Sequence, residues 1–145
     1  MLLPMMFVLL PVVAFAQVKR SNPAPLSKPT GYTHVVEVPG PAKMVYIAGQ
    51  IALDKDGKVV GEGDMKAQAE QVFKNLARVL AAAGLSLADA VKCNVYLTDI
   101  GDFQAMNAVY ARQFEAPYPA RTTVAVAALP GGARIEIELI ARQPL

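Results

Sequence analysis

Charged side chains interrupt the most apolar part of this chain. In Tyr118–Arg142, YPARTTVAVAALPGGARIEIELIAR, Arg121 opens one strand-like run while Glu136 and Glu138 lie among the isoleucines of a second. A guanidinium presents a planar fork that matches the two oxygens of a carboxylate, and a carboxylate can orient a water or move a proton. By themselves the three residues fit an ion-paired strand edge or a subunit contact equally well, since a buried charge needs a partner.

The rest of the sequence narrows the chemistry. His34 is the only histidine and Cys93 the only cysteine. The single cysteine excludes an intrachain disulfide and a thiolate zinc cluster, and the single histidine argues against a histidine-based metal site or a Ser-His-Asp triad. Reactivity has to come from Arg, Glu, Asp, Tyr, Ser, Thr, Asn or backbone groups, with no metal ligand set in view. Net charge is +2 and the charged residues are scattered, without the basic stripe that a nucleic-acid partner requires.

The elements that must position these groups fall into three stretches. Residues 1–16, MLLPMMFVLLPVVAFA, carry no charge and end in Ala14-Phe15-Ala16, the small-x-small pattern of a cleaved secretory signal. The run is short and broken by proline, a poor match to a spanning helix of about 20 residues. The expectation is a signal peptide over 1–16 and a periplasmic or secreted product with no membrane association after cleavage. The alternative is an uncleaved anchor. Residues 17–30 are a Pro-rich lead-in, and residues 31–145 one domain, long enough for a single core and not for two.

Within that domain YTHVVEV and MVYIAGQIAL read as strands separated by the PGPAK turn. Asp64 is placed to cap a helix whose apolar residues, Ala69, Val72, Phe73, Leu76, Val79, Leu80 and Ala83, recur at spacings of three and four, and Gly84 closes it. VKCNVYLTD alternates, with Val91, Cys93, Val95 and Leu97 on one side. Cys93 there reads as a small buried hydrophobe. Asp99 or Asp102 caps a second helix with Phe103, Met106, Tyr110 and Phe114 inward and Asn107 one turn from Phe103 and Tyr110. A hairpin through Pro130-Gly131-Gly132 ends the chain. This order, β-β-α-β-α-β-β, predicts an α+β two-layer sandwich with both helices on one face of one sheet. The last two strands are apolar on both faces, which predicts that the second face is covered in a homo-oligomer.

Four motifs, GYTHVV (31–36), VYIAGQI (45–51), DFQAMNAVY (102–110) and PARTTVAVAALPGGARIEIELIA (119–141), resemble the RidA (YjgF) family from about Tyr32 to Arg142. The resemblance implies a chorismate-mutase-like α+β domain, with a mixed, mainly antiparallel sheet, that assembles as a homotrimer with clefts between subunits. It also implies hydrolytic deamination of reactive enamines and imines such as 2-aminoacrylate to 2-keto acids and ammonia, with no cofactor. In that reading Arg121 binds the substrate carboxylate and Glu136 positions or activates water. Tyr32, Gly49, Asn107 and Thr123 line the substrate pocket. Two positions depart from the family pattern: its frequent serine before Gly-Gln is Ala48, and a cysteine common two residues after the arginine is Thr123. The alternative function is a non-catalytic trimer binding small carboxylates or protein partners. A ribonuclease label, also used in the family, ranks third for want of a basic stripe.

One geometric difficulty accompanies this reading. A simple hairpin sets Arg121 near Arg142 and Glu136 near Ala127, roughly 20 Å apart along the strands. A shared site then needs a bulge, a twist or a neighbouring subunit.

Overall fold

A computed structural model describes residues 17–145. The signal-peptide reading falls on residues 1–16, which lie outside the described residues. Two short strands, β1 (Lys19–Ser21) and β2 (Val35–Glu37), come first, followed by β3 (Ala42–Gln50), α1 (Met65–Ala82), β4 (Ala90–Leu97), α2 (Phe103–Gln113), β5 (Ala120–Ala125) and β6 (Ile135–Pro144).

Helix α1 begins where the Asp64 carboxylate accepts the amide of Ala67 and ends before Gly84, whose φ of +72° suits glycine. Val72, Phe73, Leu76 and Leu80 are buried, whereas Val79, expected in the same stripe, is 37% exposed at its margin. Of the two candidate caps for α2, Asp99 is the one used: its carboxylate accepts from Gly101 in the short 3-10 turn Ile100–Asp102. Asp102 makes no capping bond and pairs instead with Arg134, 2.6 Å away.

The main sheet has the order β3-β6-β4-β5, with a separate two-stranded ribbon of β1 and β2. Both departures from the expected layout have local causes. The strand at YTHVVEV shrinks to three residues and pairs with Lys19–Ser21 of the lead-in, with Arg20 opposite Val36, because Pro39-Gly40-Pro41 turns the chain before β3. The terminal hairpin does not form. Strand β4 lies between β5 and β6, parallel to the first and antiparallel to the second. Helix α2 supplies the crossover that a parallel pair requires. The Pro130–Gly132 turn belongs to a connection that steps over the end of β4, where Val126 N–H donates to Leu97 O and Thr98 N–H to Arg134 O.

The apolar alternations of β3, β4 and β6 point to one side. Ile47, Val95, Leu97, Ile135, Ile137 and Leu139 are all at most 7% exposed, packed beneath both helices, and burial of each such side chain contributes about 1.5–3 kcal/mol. The opposite face is mixed. Tyr46 and Val124 are exposed, Glu138 accepts from Asn94 Nδ2 (2.7 Å) and Tyr96 Oη (2.9 Å), and Lys92 Nζ donates to Thr122 Oγ1. The result is the expected α+β two-layer sandwich with both helices on one face. Among the described residues no helix is long and apolar enough to cross a membrane.

Gln68, 1% exposed, was not anticipated as a core residue. Its Oε1 accepts the backbone N–H of Arg134 at 2.9 Å and so fixes the start of β6 against α1. Gln68→Leu conserves volume and strands that donor, so unfolding free energy should fall by about 1–3 kcal/mol; urea titration of both proteins, with an unchanged midpoint counting against this role, checks it.

Candidate active site

Arg121 leaves β5 on the helix-covered side of the sheet, beside its register partner Cys93. Its Nη1 donates to Asn107 Oδ1 at 2.7 Å and its Nη2 to the Thr30 carbonyl at 3.3 Å. The guanidinium carbon stands 4.5 Å from the Tyr110 ring centre, 5.6 Å from Phe103 and 5.9 Å from Tyr32. Ring faces favour a cation within about 6 Å, so three aromatics and one amide orient the group. Among the described residues no carboxylate pairs with it. A positive charge held by neutral groups is suited to receive an anion from outside the chain.

The wall over Arg121 is set by the segment preceding β2. Thr33, 3% exposed, donates its hydroxyl to Tyr118 O (2.6 Å) and its amide to Pro119 O. Those bonds seat Gly31 and Tyr32 on the start of β5. Gly31 has φ +74°, and a Cβ there would come within 3.3 Å of Arg121 Nη1 and 3.4 Å of Asn107 Oδ1. Gly31, Thr30 and the ring faces of Phe103 and Tyr110 are contributions that sequence reading missed. The one signal was the placement of Asn107 a turn from both rings. His34 is engaged elsewhere, with Nε2 against Ser27 O at 3.1 Å and its amide donating to Asn22.

Glu136 and Gly49 form a second cluster. A Cβ on Gly49 would overlap the Glu136 carboxylate, so only glycine lets that side chain lie across β3. The register of β3 against β6 shifts between Ile47 and Gln50, which places Gly49 at the irregularity. Glu136 is the register partner of Tyr96, and the Tyr96 phenol is raised above its ordinary pKa, first by its hydrogen bond to Glu138.

The two clusters lie on opposite faces of the sheet. Arg121 aligns with Cys93 and Leu139, both buried toward the helices, whereas Glu136 aligns with Tyr96 on the other side. The offset is three residues and two strand spacings, about 14 Å between backbones, in place of the 20 Å of a hairpin. No bulge or twist joins them in one protomer. Arg121, Asn107 and Tyr32 are brought together; Glu136 and Gly49 are brought together elsewhere. Thr123 shares the Arg121 face, opposite Val95, and its buried hydroxyl has no hydrogen-bond partner among the described residues. Among those residues no three His, Cys, Asp or Glu side chains gather to hold a metal.

Comparison with known proteins gives a consistent picture. The family described as endoribonuclease L-PSP matches residues 22–143. Protein DfrA of Myxococcus xanthus is 47% identical over 110 residues, covering 76% of this chain and 83% of that protein. A human 2-iminobutanoate/2-iminopropanoate deaminase is 42% identical over 101 residues, 70% of this chain and 74% of its own length. Among solved structures, RidA from an Antarctic Psychrobacter species superposes with a TM-score of 0.66 at 43% identity, over 81% of this chain and 92% of that one.

The thiol behind Arg121 tests this packing. Burial pushes Cys93 up to about 12, against the smaller opposing pull of the Arg121 charge and the Tyr110 hydroxyl. The thiol therefore stays protonated through neutral and mildly alkaline pH, and the thiolate is the reactive form. A disulfide reagent at pH 8 should find no reactive thiol in the native protein and one per chain in denaturant; rapid native reaction would refute the packing.

Proposed function

Because the chain belongs to the endoribonuclease L-PSP (YjgF/RidA) family, we propose that it hydrolyses 2-imino acids and their enamine tautomers to 2-keto acids and ammonia, in sites formed between the subunits of a homotrimer. The observation carrying this reading is the pairing of two incomplete clusters. Arg121 offers an uncompensated cation on one face of the sheet, and Glu136 a carboxylate beneath the hydrogen of Gly49 on the other. Relatives named as imine deaminases share about two fifths of their aligned residues with this chain.

In the proposed reaction Arg121 takes the substrate carboxylate in a two-point pair. Asn107 and Tyr110 keep the guanidinium in place, and Tyr32, Gly49 and Thr123 line the cleft. Glu136 of a neighbouring protomer accepts a proton from water as its oxygen bonds to the imine carbon. The carbinolamine formed from the protonated imine takes that proton on nitrogen; its hydroxyl proton passes to Glu136 as the carbonyl forms and the C–N bond breaks, and the released ammonia carries that proton away as ammonium, leaving the keto acid. No electron acceptor is required. The Arg121 cluster is also sufficient by itself to hold a carboxylate, which supports a second reading as a non-catalytic binding trimer; turnover separates the two. Export with cleavage after Ala16 remains part of the proposal, read out by whether the protein recovered from its host begins at Gln17.

An amino-acid oxidase generating imino acids, with semicarbazide trapping whatever escapes hydrolysis, provides the assay. The native protein should suppress the trapped product. Arg121→Ala and Glu136→Gln should each lose at least about a hundredfold in kcat/KM, in line with loss of a carboxylate clamp or a general base. Gly49→Ala should fold normally and lose kcat by displacing Glu136. Folded native protein that leaves trapping unchanged would replace the deaminase with the binding reading.

Subunit sharing has its own test. Co-refolding equal amounts of Arg121→Ala and Glu136→Gln chains should regenerate up to about a quarter of native activity, since one site in four then combines two intact residues. No recovery in mixed trimers would refute the sharing of one site between subunits.

A further inference from the structure

A cavity of about 610 Å³ lies away from both clusters, where the end of α2, the 3-10 turn at Leu87–Asp89 and the start of β4 meet the β1–β2 ribbon. Its walls are mainly apolar, with Ala77, Leu87, Ala90, Phe114 and Pro119 prominent. Arg20 of β1 supplies a cation to this lining. One arm, Nη2, donates to Ala90 O at 3.2 Å, while Nε is buried without an acceptor, and no carboxylate pairs with Arg20 among the described residues. With no carboxylate to neutralise it, a guanidinium beside apolar walls favours an anionic partner. The volume falls within the range of small-molecule sites, which combine apolar walls with a few polar anchors. Glu115 also lines the rim, exposed and not paired with Arg20. One cation and one rim carboxylate suit a monoanion and oppose a polyanion.

We infer that this cavity is a second binding site, separate from the Arg121 cluster, for a monocarboxylate with an unbranched or flat apolar body. The carboxylate pairs with the Arg20 guanidinium, and the hydrocarbon covers Leu87, Phe114 and Pro119. The site belongs to this chain's N-terminal ribbon: Arg20 is held there by the register of β1 with β2, opposite Val36.

Titration calorimetry of the full chain with octanoate, and with octan-1-ol as its neutral counterpart, tests the assignment. Octanoate should bind saturably, and octan-1-ol at least about tenfold more weakly. Arg20→Gln should weaken octanoate by about the same factor. Ala77→Leu, a change at an exposed helix position that fills the mouth without touching the ribbon or the core, should also weaken it. Arg121→Ala should retain the Arg20-dependent binding, whatever octanoate the Arg121 cluster itself takes up. Absence of octanoate binding, equal affinity for octan-1-ol, insensitivity to both Arg20→Gln and Ala77→Leu, or loss of all octanoate binding in Arg121→Ala would each overturn the proposal, the last by assigning octanoate to the proposed active site.

Discussion

Strand β4 is the axis on which the sheet's chemistry is divided. Cys93 stands between Arg121 and Leu139, and Tyr96 between Val124 and Glu136. Side chains of register partners emerge on the same side, and successive residues on opposite sides. An odd offset of three positions therefore sends the arginine under the helices and the glutamate away from them. No rotamer change reverses that division. Only a register slip would, and it would turn Ile135, Ile137 and Leu139 out of the core together. The same hydrophobic pattern that makes the domain stable thus keeps its two charged clusters apart.

The clusters rest on different physics. Arg121 is oriented by an amide, a carbonyl and three ring faces, interactions that fix geometry without cancelling its charge. Its cradle is assembled from three distant parts of the chain: the Thr30–Thr33 segment, α2 and β5. Glu136 depends on something simpler, the missing side chain of Gly49 at an irregular point in the β3–β6 pairing. Its neighbour Glu138 takes the donors of Asn94 and Tyr96. One carboxylate on that face is thus anchored in the structure while the other lies on glycine. Family membership and this separation together motivate a shared site between protomers.

Local signals in the sequence were legible where one element carries them alone. The apolar spacing of α1, its Asp64 cap, the Gly84 stop and the alternation of β4 all reappear, as does the two-layer arrangement. What could not be read was pairing. Two apolar strands joined through Pro-Gly-Gly look adjacent, and nothing in their residues says that β4 runs between them. Arg20 in a Pro-rich stretch gave no sign of a strand, because its partner Val36 lies far along the chain. The cap at α2 was ambiguous for a related reason: Asp102 is committed to Arg134, a contact made only once the chain has folded back. For the site, the residue types were visible in the motifs, but the side of the sheet on which each emerges depends on the register with β4.

The aromatic surroundings of Arg121 have an optical consequence. The chain contains no tryptophan and five tyrosines, so tyrosine emission is not drained by transfer to an indole. Two of the five, Tyr32 and Tyr110, have their rings against the Arg121 guanidinium. Burial raises the Tyr110 pKa, which keeps that ring in the emissive phenol form through the neutral range. Any molecule settling on the arginine alters the surroundings of a large share of the protein's fluorophores. Occupancy of that cluster is therefore written into the ultraviolet emission of the unmodified polypeptide, with no label or engineered probe.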